Sequence, residues 1–445
     1  MPLFATTDLN PGVQRREVFA WAMYDFANSG YTTVVLTAVF NAYFVSVIAG
    51  NAEWGTLAWT LALSLSNALV VLTMPAIGAW CDLHAAKKRV LLISTVGCVL
   101  ATAMLALAGA GDLWLAVVAI VLSNLCYAWG EALIAAFLPE LARRESMGRV
   151  SGWGWSFGYF GGMLALGLGL GYVIWAQGQG QKASQFVPVT MLITASLYAV
   201  AALPTFLWLR ERAVPQANVE HTRRGLLVAM RESFTRLGAT WRNARNYRDF
   251  VWLLACAVAY QAGIAVVIAL AAVYAAQVLG FKQTETMMLV FLVNIAAALG
   301  AFGFGHWQDR LGHRRALAIT LVGWIVMTLL AYLATSATLF WFAAVLAGLC
   351  MGSSQSAGRA MAGLLAPVAQ RAEFYGLWAF AVRLSAIFGP LTYGLVTWLT
   401  AGNHRYGIAS TGVFFVIGLV LLRKVDMQRG MAAAETVAAP AVEAK

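Results

Sequence analysis

Gly78-Ala79-Trp80-Cys81-Asp82, followed by Lys87, Lys88 and Arg89, returns 227 positions later as Gly305-His306-Trp307-Gln308-Asp309, followed by Arg314 and Arg315. Each copy joins two long apolar stretches. A repeat of this length in an apolar chain implies two similar membrane bundles, an organisation common among secondary transporters.

Composition agrees. The chain has 445 residues, 61% of them hydrophobic and only 11% charged. A bilayer, not water, is the solvent for so much apolar surface. The net charge of +11 could suggest nucleic acid, but the Lys and Arg sit between apolar runs and form no single patch. No nucleic-acid partner is expected. The five cysteines, Cys81, Cys98, Cys126, Cys256 and Cys350, lie in or beside apolar runs and have neither disulfide-framework nor zinc-ligand spacing. Residues 1–17 are polar and carry no short apolar core or cleavage site, so no secretory signal is expected.

The hydrophobic runs predict twelve spans: 18–48, 56–80, 89–109, 113–137, 151–177, 187–209, 249–276, 284–307, 315–334, 338–363, 376–399 and 405–423. At ~1.5 Å per residue each can cross a ~30 Å hydrocarbon core. With the N-terminus in the cytoplasm, 25 of the 30 Lys and Arg fall in cytoplasmic segments. Only Lys182, Lys282 and Arg405 then face outside, while Arg359 and Arg383 lie within spans. The positive-inside bias therefore puts both termini in the cytoplasm, and a bacterial inner membrane is expected.

The expected fold is all-α, with two six-helix bundles, 1–209 and 249–425. A polar cytoplasmic linker, 210–248, joins them, and a tail, 426–445, is read as disordered. Within the linker, Leu226–Leu237 could form an amphipathic helix on the anionic inner leaflet, or the segment could be a solvated connector whose charges set topology.

Twelve spans in two halves and the duplicated Gly-x-x-x-Asp loop resemble the major facilitator superfamily. A narrower resemblance, to its vacuole effluxer-like branch, rests on Trp21-Ala22-Met23-Tyr24-Asp25-Phe26-Ala27-Asn28-Ser29-Gly30-Tyr31 in span 1. It rests also on Gly148-Arg149-Val150-Ser151-Gly152 leading into Gly158-Tyr159-Phe160-Gly161-Gly162. In the second half, Gln355-Ser356-Ala357-Gly358-Arg359, Glu373-Phe374-Tyr375-Gly376 and Gly389-Pro390 match the same branch. Fungal members are associated with amino-acid export from the vacuole; the resemblance implies transport and leaves the solute open. The first loop departs from the superfamily pattern. It has Leu83-His84-Ala85-Ala86 where Arg and Gly are usual, whereas the second keeps Arg310 and Gly312.

The resemblance implies that Asp82 faces the start of span 11, near Tyr375-Gly376, and that Asp309 mirrors it at span 5, near Ser151-Gly152. A helix N-terminus has free N–H groups and a positive dipole end, so it favours a carboxylate. Such contacts would close the cytoplasmic side, and Arg89 and Arg310 are counted with this gate. The alternative is that both aspartates only pair with basic residues of their own loops.

Four formal charges fall inside spans: Asp25, Glu131, Arg359 and Arg383. Each is expensive in hydrocarbon unless paired or hydrated. Counting from the helix ends places all four roughly 10–14 Å in from the cytoplasmic side. Glu131 and Arg359 are repeat-equivalent, eight residues before Pro139 and Pro367, and opposite in charge. In the superfamily spans 1, 4, 7 and 10 line the cavity, which suits three of the four. Three readings stay open: an inner gate of acid–base pairs across the halves; arginines that bind a carboxylate or phosphate while Asp25 or Glu131 binds an amine or a proton; or pairs within one half that hold helices together. Tyr24, Asn28, Asn124, Tyr127, Tyr260, Gln261 and Gln355 cluster at the same layer and favour a polar solute, with Gln261 the neutral counterpart of Asp25.

Span 5 carries glycines at 154, 158, 162, 167 and 171, a spacing that permits close helix packing or a sliding seam. Trp54, Trp114 and Trp398 read as interfacial anchors. There is no Gly-x-x-x-x-Gly-Lys-[Ser/Thr] phosphate loop and no nucleophile elbow, and the five histidines are scattered. No enzyme, metal or cofactor is expected. The leading expectation is a monomeric, proton-linked secondary transporter of a small polar or zwitterionic, amino-acid-like solute. An exporter of amphipathic compounds, or a transport-fold receptor or assembly factor, is the alternative.

Overall fold

The computed structural model describes residues 4–50, 55–214, 247–281 and 283–436. Among the described residues, twelve helices are long and apolar enough to span a bilayer: Arg15–Ile48, Leu61–His84, Lys87–Leu107, Leu113–Leu141, Arg144–Gly178, Ala183–Trp208, Arg248–Ala271, Met288–Leu311, His313–Leu333, Ala337–Leu365, Val368–Leu399 and His404–Leu422. They are numbered spans 1 to 12 below. Spans 1–6 form the N-half and spans 7–12 the C-half. The face that carries the basic loops is called the basic face.

Local chemistry starts and stops these helices. Before span 1 the Gln14 N–H donates to the Glu17 carboxylate (3.0 Å), which satisfies a donor the helix cannot. Asn403 caps span 12 by accepting from the Arg405 N–H at 3.0 Å. Span 1 is wound loosely over Thr32–Ala38 and Phe44–Ile48, where the backbone is π-helical. There the Thr37 hydroxyl donates to the Thr32 carbonyl (3.0 Å), supporting the wide turn. Pro390 lies inside the helix of span 11.

The two halves repeat one another at close range. The Tyr24 hydroxyl lies where a Cβ on Gly130 would sit, and the Tyr260 hydroxyl lies likewise at Gly358. Gly97 leaves room for the Cys126 sulfur, and Gly323 for that of Cys350. The loops repeat as well, with one difference. Gly312 turns the second at φ 87°, while the equivalent residue of the first, Ala85, adopts φ 49°. The first loop therefore keeps the left-handed turn without the glycine that relieves it.

Span 5 explains its glycines. A Cβ on Gly161 would lie 2.1 Å from the Phe26 carbonyl, and one on Gly158 2.9 Å from the Ser29 hydroxyl, so span 5 lies directly on span 1. Gly152 instead faces Ala301 of span 8, across the halves, with only 2.4 Å for a Cβ. Gly167 and Gly171 meet nothing within 4 Å, so that part of the stripe does not pack.

The tail differs from expectation over Met427–Thr436, which is a helix. Arg429 docks it, donating through Nε (2.8 Å) and Nη2 (2.7 Å) to the Asp249 carboxylate at the start of span 7. Gly430 lets this helix lie against Leu365 and Asp249. Composition suggested disorder because it ignores such a tertiary anchor. The possible helix at Leu226–Leu237 lies outside the described residues, as does Trp54. Trp114 and Trp398 are exposed at the face away from the basic loops, where interfacial anchors belong.

Candidate functional site

The two loop aspartates each reach the first turn of a helix in the opposite half. Asp82 accepts the Glu373 N–H at 2.9 Å, at the start of the helix Arg371–Leu399. Asp309 accepts the N–H groups of Gly148 (2.9 Å) and Arg149 (3.0 Å), at the start of Met147–Gly178. The contacts fall two or three residues earlier than the resemblance implied, because both helices begin before the apolar runs that signal them. Close backbone approach makes them possible. A Cβ on Gly78 would lie 2.4 Å from the Ala372 carbonyl, and one on Gly305 2.8 Å from that of Gly148.

Arg89 and Arg310 do not join these contacts; both are exposed and, among the described residues, form no ion pair. Lys87 and Arg149 take that place. Lys87 opens span 3 fully buried and pairs with Glu140. Arg89, two residues on, points about 200° round the helix. Arg149 pairs with Asp8 at 2.6 Å and lies 4.0 Å from Asp309. Glu140 also accepts the Arg212 N–H (3.0 Å), and Glu211 accepts those of Lys87 (2.8 Å) and Lys88 (3.1 Å). Sequence reading assigns no contact to Lys87, Glu140 or Glu211, because charges at the ends of spans are usually solvated.

Deeper in, the four intramembrane charges form two ion pairs, and both cross between halves. Arg359 of span 10 binds Asp25 of span 1 at 2.6 Å. Arg383 of span 11 binds Glu131 of span 4 at 2.8 Å. The repeat-equivalent Glu131 and Arg359 do not meet each other. The pairs differ in access. In the first, the side chains are 12% (Asp25) and 7% (Arg359) exposed; in the second, 40% (Glu131) and 15% (Arg383). Pairing within one half is not what the geometry shows.

Arg359 is the more enclosed. Its Nε donates to the Ser151 hydroxyl (3.2 Å) and its Nη2 to the Ser151 carbonyl (2.8 Å). Its guanidinium carbon lies 4.8 Å from the centre of the Trp21 ring and 5.2 Å from that of Trp155. The Tyr375 hydroxyl donates to its backbone carbonyl at 2.9 Å. Arg383 lies 5.5 Å from the centre of the Tyr127 ring, which stacks on Tyr31 at 5.2 Å.

The uncharged candidates divide. Tyr24 is hydrogen-bonded to Thr95 at 2.8 Å, and Asn28 accepts from the Tyr198 hydroxyl at 2.6 Å. Asn124 donates to Ser66 at 2.9 Å. These bonds stay within the N-half and hold its helices together. Tyr260 is buried against Gly358 in the C-half. Gln261 donates to Gln355 at 2.6 Å, a partly buried pair between spans 7 and 10. Trp21, Ser151 and Trp155 were not singled out as ligands from sequence. The available signal was spacing: Trp21 and Asp25, like Ser151 and Trp155, are four apart on one helix face. A cavity of about 680 Å³ at the opposite end, between spans 7, 11 and 12, holds none of the candidates.

Twelve spans, a duplicated loop locked onto helix starts, and charges at the seam between halves define a transporter of the major facilitator type. The chain belongs to the family described as "Vacuole effluxer Atg22 like", whose model matches residues 56–435. It is similar to the "Uncharacterized MFS-type transporter YxiO" of Bacillus subtilis (strain 168), 24% identical over 408 residues, 91% of this chain and 93% of that one. It is also 26% identical over 317 residues to "Autophagy-related protein 22-1" of Penicillium rubens, covering 66% of this chain and 52% of the fungal one. The chain thus spans about half the length of that fungal relative. Among solved structures, the human organic anion transporter MFSD10 (TETRAN) matches with TM-score 0.70 and 15% identity, over 92% of this chain and 99% of that one. A bacterial homologue of the iron transporter ferroportin, in an outward-facing state, matches with TM-score 0.68 and 16% identity, over 92% and 99%.

Proposed function

We propose that this protein is a secondary active transporter that moves a small polar or zwitterionic solute by alternating access, linked to protons, with its basic face in the cytoplasm. The observation that carries the reading is the position of the bonds between halves. Asp82 to Glu373, Asp309 to Gly148 and Arg149, Arg359 to Asp25 and Ser151, and Arg383 to Glu131 all gather toward the basic face. Such bonds close that side. Opening it means breaking these ion pairs and helix-terminus contacts together.

A carboxylate that takes up a proton no longer balances an arginine, so protonation releases a pair. Glu131 is the better proton carrier, because 40% of its side chain is exposed while Asp25 is enclosed. Acids on one half and bases on the other suit a solute bearing both charges, such as an amino acid.

The test is uptake of a radiolabelled amino-acid mixture into liposomes under an imposed pH gradient, with internal pH followed by a trapped dye. Glu131→Gln is expected to abolish the dependence on the gradient. Unchanged proton coupling in both Glu131→Gln and Asp25→Asn overturns the assignment.

A further inference from the structure

The surroundings of Arg359 are unlike those of an ordinary gate arginine. Two indole faces flank the guanidinium, a carboxylate binds one end, and a hydroxyl and a carbonyl accept from the other. These are the elements of a cation-recognition cage. All of them belong to the N-half: Trp21 and Asp25 on span 1, Ser151 and Trp155 on span 5. The cation alone comes from the C-half.

One wall of the cage is anchored independently of the arginine. The Trp21 indole N–H donates to the Ile134 carbonyl at 2.8 Å, which fixes that ring from behind. Gly154 forms the floor. A Cβ there would lie 2.5 Å from the Asp25 carboxylate and 2.6 Å from the edge of the Trp21 ring. Span 5 thus keeps a glycine where a side chain would fill the site.

If the halves rock, Arg359 leaves with span 10 while the cage stays with spans 1 and 5. An unpaired carboxylate beside two indoles is costly, and a cation that replaces the guanidinium restores its balance. We propose that this cage is the receptor for the cationic head of the solute, a guanidinium or alkylammonium group, and that Arg359 is its built-in competitor in the closed state. The inference rests on alternating access and names the chemical class that the N-half accepts.

The sign of one measurement separates this from an arginine that binds the solute. If Arg359 held a solute anion, removing it would weaken binding; if it fills the cage, removing it strengthens binding of a cation. The probes are methylguanidinium and its neutral planar analogue methylurea, titrated calorimetrically into the full-length purified protein. Arg359→Ala is expected to bind methylguanidinium at least about tenfold more tightly than wild type does, and more tightly than methylurea. Adding Asp25→Asn or Trp21→Leu should remove that gain. Equal affinity of Arg359→Ala for the two probes overturns the cage. Arg359→Gln, which keeps a hydrogen-bonding side chain, provides the same comparison if the alanine protein does not fold.

A second arm tests the solute. Wild-type protein in liposomes should move radiolabelled agmatine, and Trp21→Leu should not. Methylguanidinium binding without agmatine movement by wild type would leave the cage a gate socket only and overturn the proposal. Calorimetry needs no gradient, so unchanged proton coupling in Glu131→Gln and Asp25→Asn, which overturns the proton assignment, would leave the binding result standing, and the reverse.

Discussion

In the N-half, Asp82 ends span 2 and its loop turns through Ala85 at φ 49°; in the C-half, Asp309 ends span 8 and its loop turns through Gly312 at φ 87°. Both aspartates satisfy helix starts across the seam. The halves are near copies at the basic face. One layer deeper they are opposites: the N-half supplies Asp25 and Glu131, the C-half Arg359 and Arg383. The N-half also encloses its ligand in two tryptophans, and the Arg383 pair lies more open beside Tyr127. The symmetric parts close the seam at the basic face. The asymmetric parts set acids of one half against bases of the other.

The largest expected break in this comparison comes from Arg359→Ala. Stranding Asp25 in its enclosed site should destabilise the protein by ~3–5 kcal/mol. Arg383→Ala, which leaves a 40%-exposed Glu131, should cost no more than ~1 kcal/mol. Thermal unfolding in detergent compares the two, and equal losses would mean that the pairs are not differently enclosed.

Next is the gate. Asp309→Asn loses two charge-assisted bonds and should weaken the closed state by ~1.5–3 kcal/mol; Asp82→Asn should act in the same direction and less. The readout is maleimide labelling of Cys81, which is fully buried next to Asp82. Labelling should rise in both variants, and no rise in either would show that these contacts do not hold the basic face shut.

Gly154→Ala comes third. Its Cβ would collide with Asp25 and Trp21, an overpacking of ~1–3 kcal/mol. Gly167→Ala, where nothing lies within 4 Å, should be neutral in the same unfolding assay.

The smallest effect sharpens the loop comparison. Ala85→Gly relieves a left-handed alanine and should raise stability by ~0.5–1 kcal/mol, whereas Gly312→Ala should lower it by ~1–2 kcal/mol. A gain from alanine at 312 would mean that the second turn does not need its glycine.

Much of this was legible in the chain. Apolar length placed all twelve spans, and the repeated loop divided them into halves. Four charges stood out against hydrocarbon-length runs, and counting from helix ends put them at one depth. Pairing was not legible. Glu131 and Arg359 are equivalent by repeat yet choose other partners. Tyr24, Asn28 and Asn124 share the layer but bond inside the N-half. Trp21 and Trp155 were masked by the many tryptophans that anchor helices at interfaces. The helix at Met427–Thr436 depends on Asp249, far away in sequence.

The sequence by itself determined that this chain spans a membrane twelve times, that its halves are related, and that four charges fall within its spans. Those properties are local: helix length, hydropathy and the cost of a charge in hydrocarbon act on each segment separately. Only the tertiary structure decided that Asp25 takes Arg359, that Glu131 takes Arg383, and that two tryptophans of the N-half close on a guanidinium of the C-half. Those choices depend on how each helix is rotated and how deeply it sits against a neighbour from the other half, which packing across the seam sets and no single segment encodes.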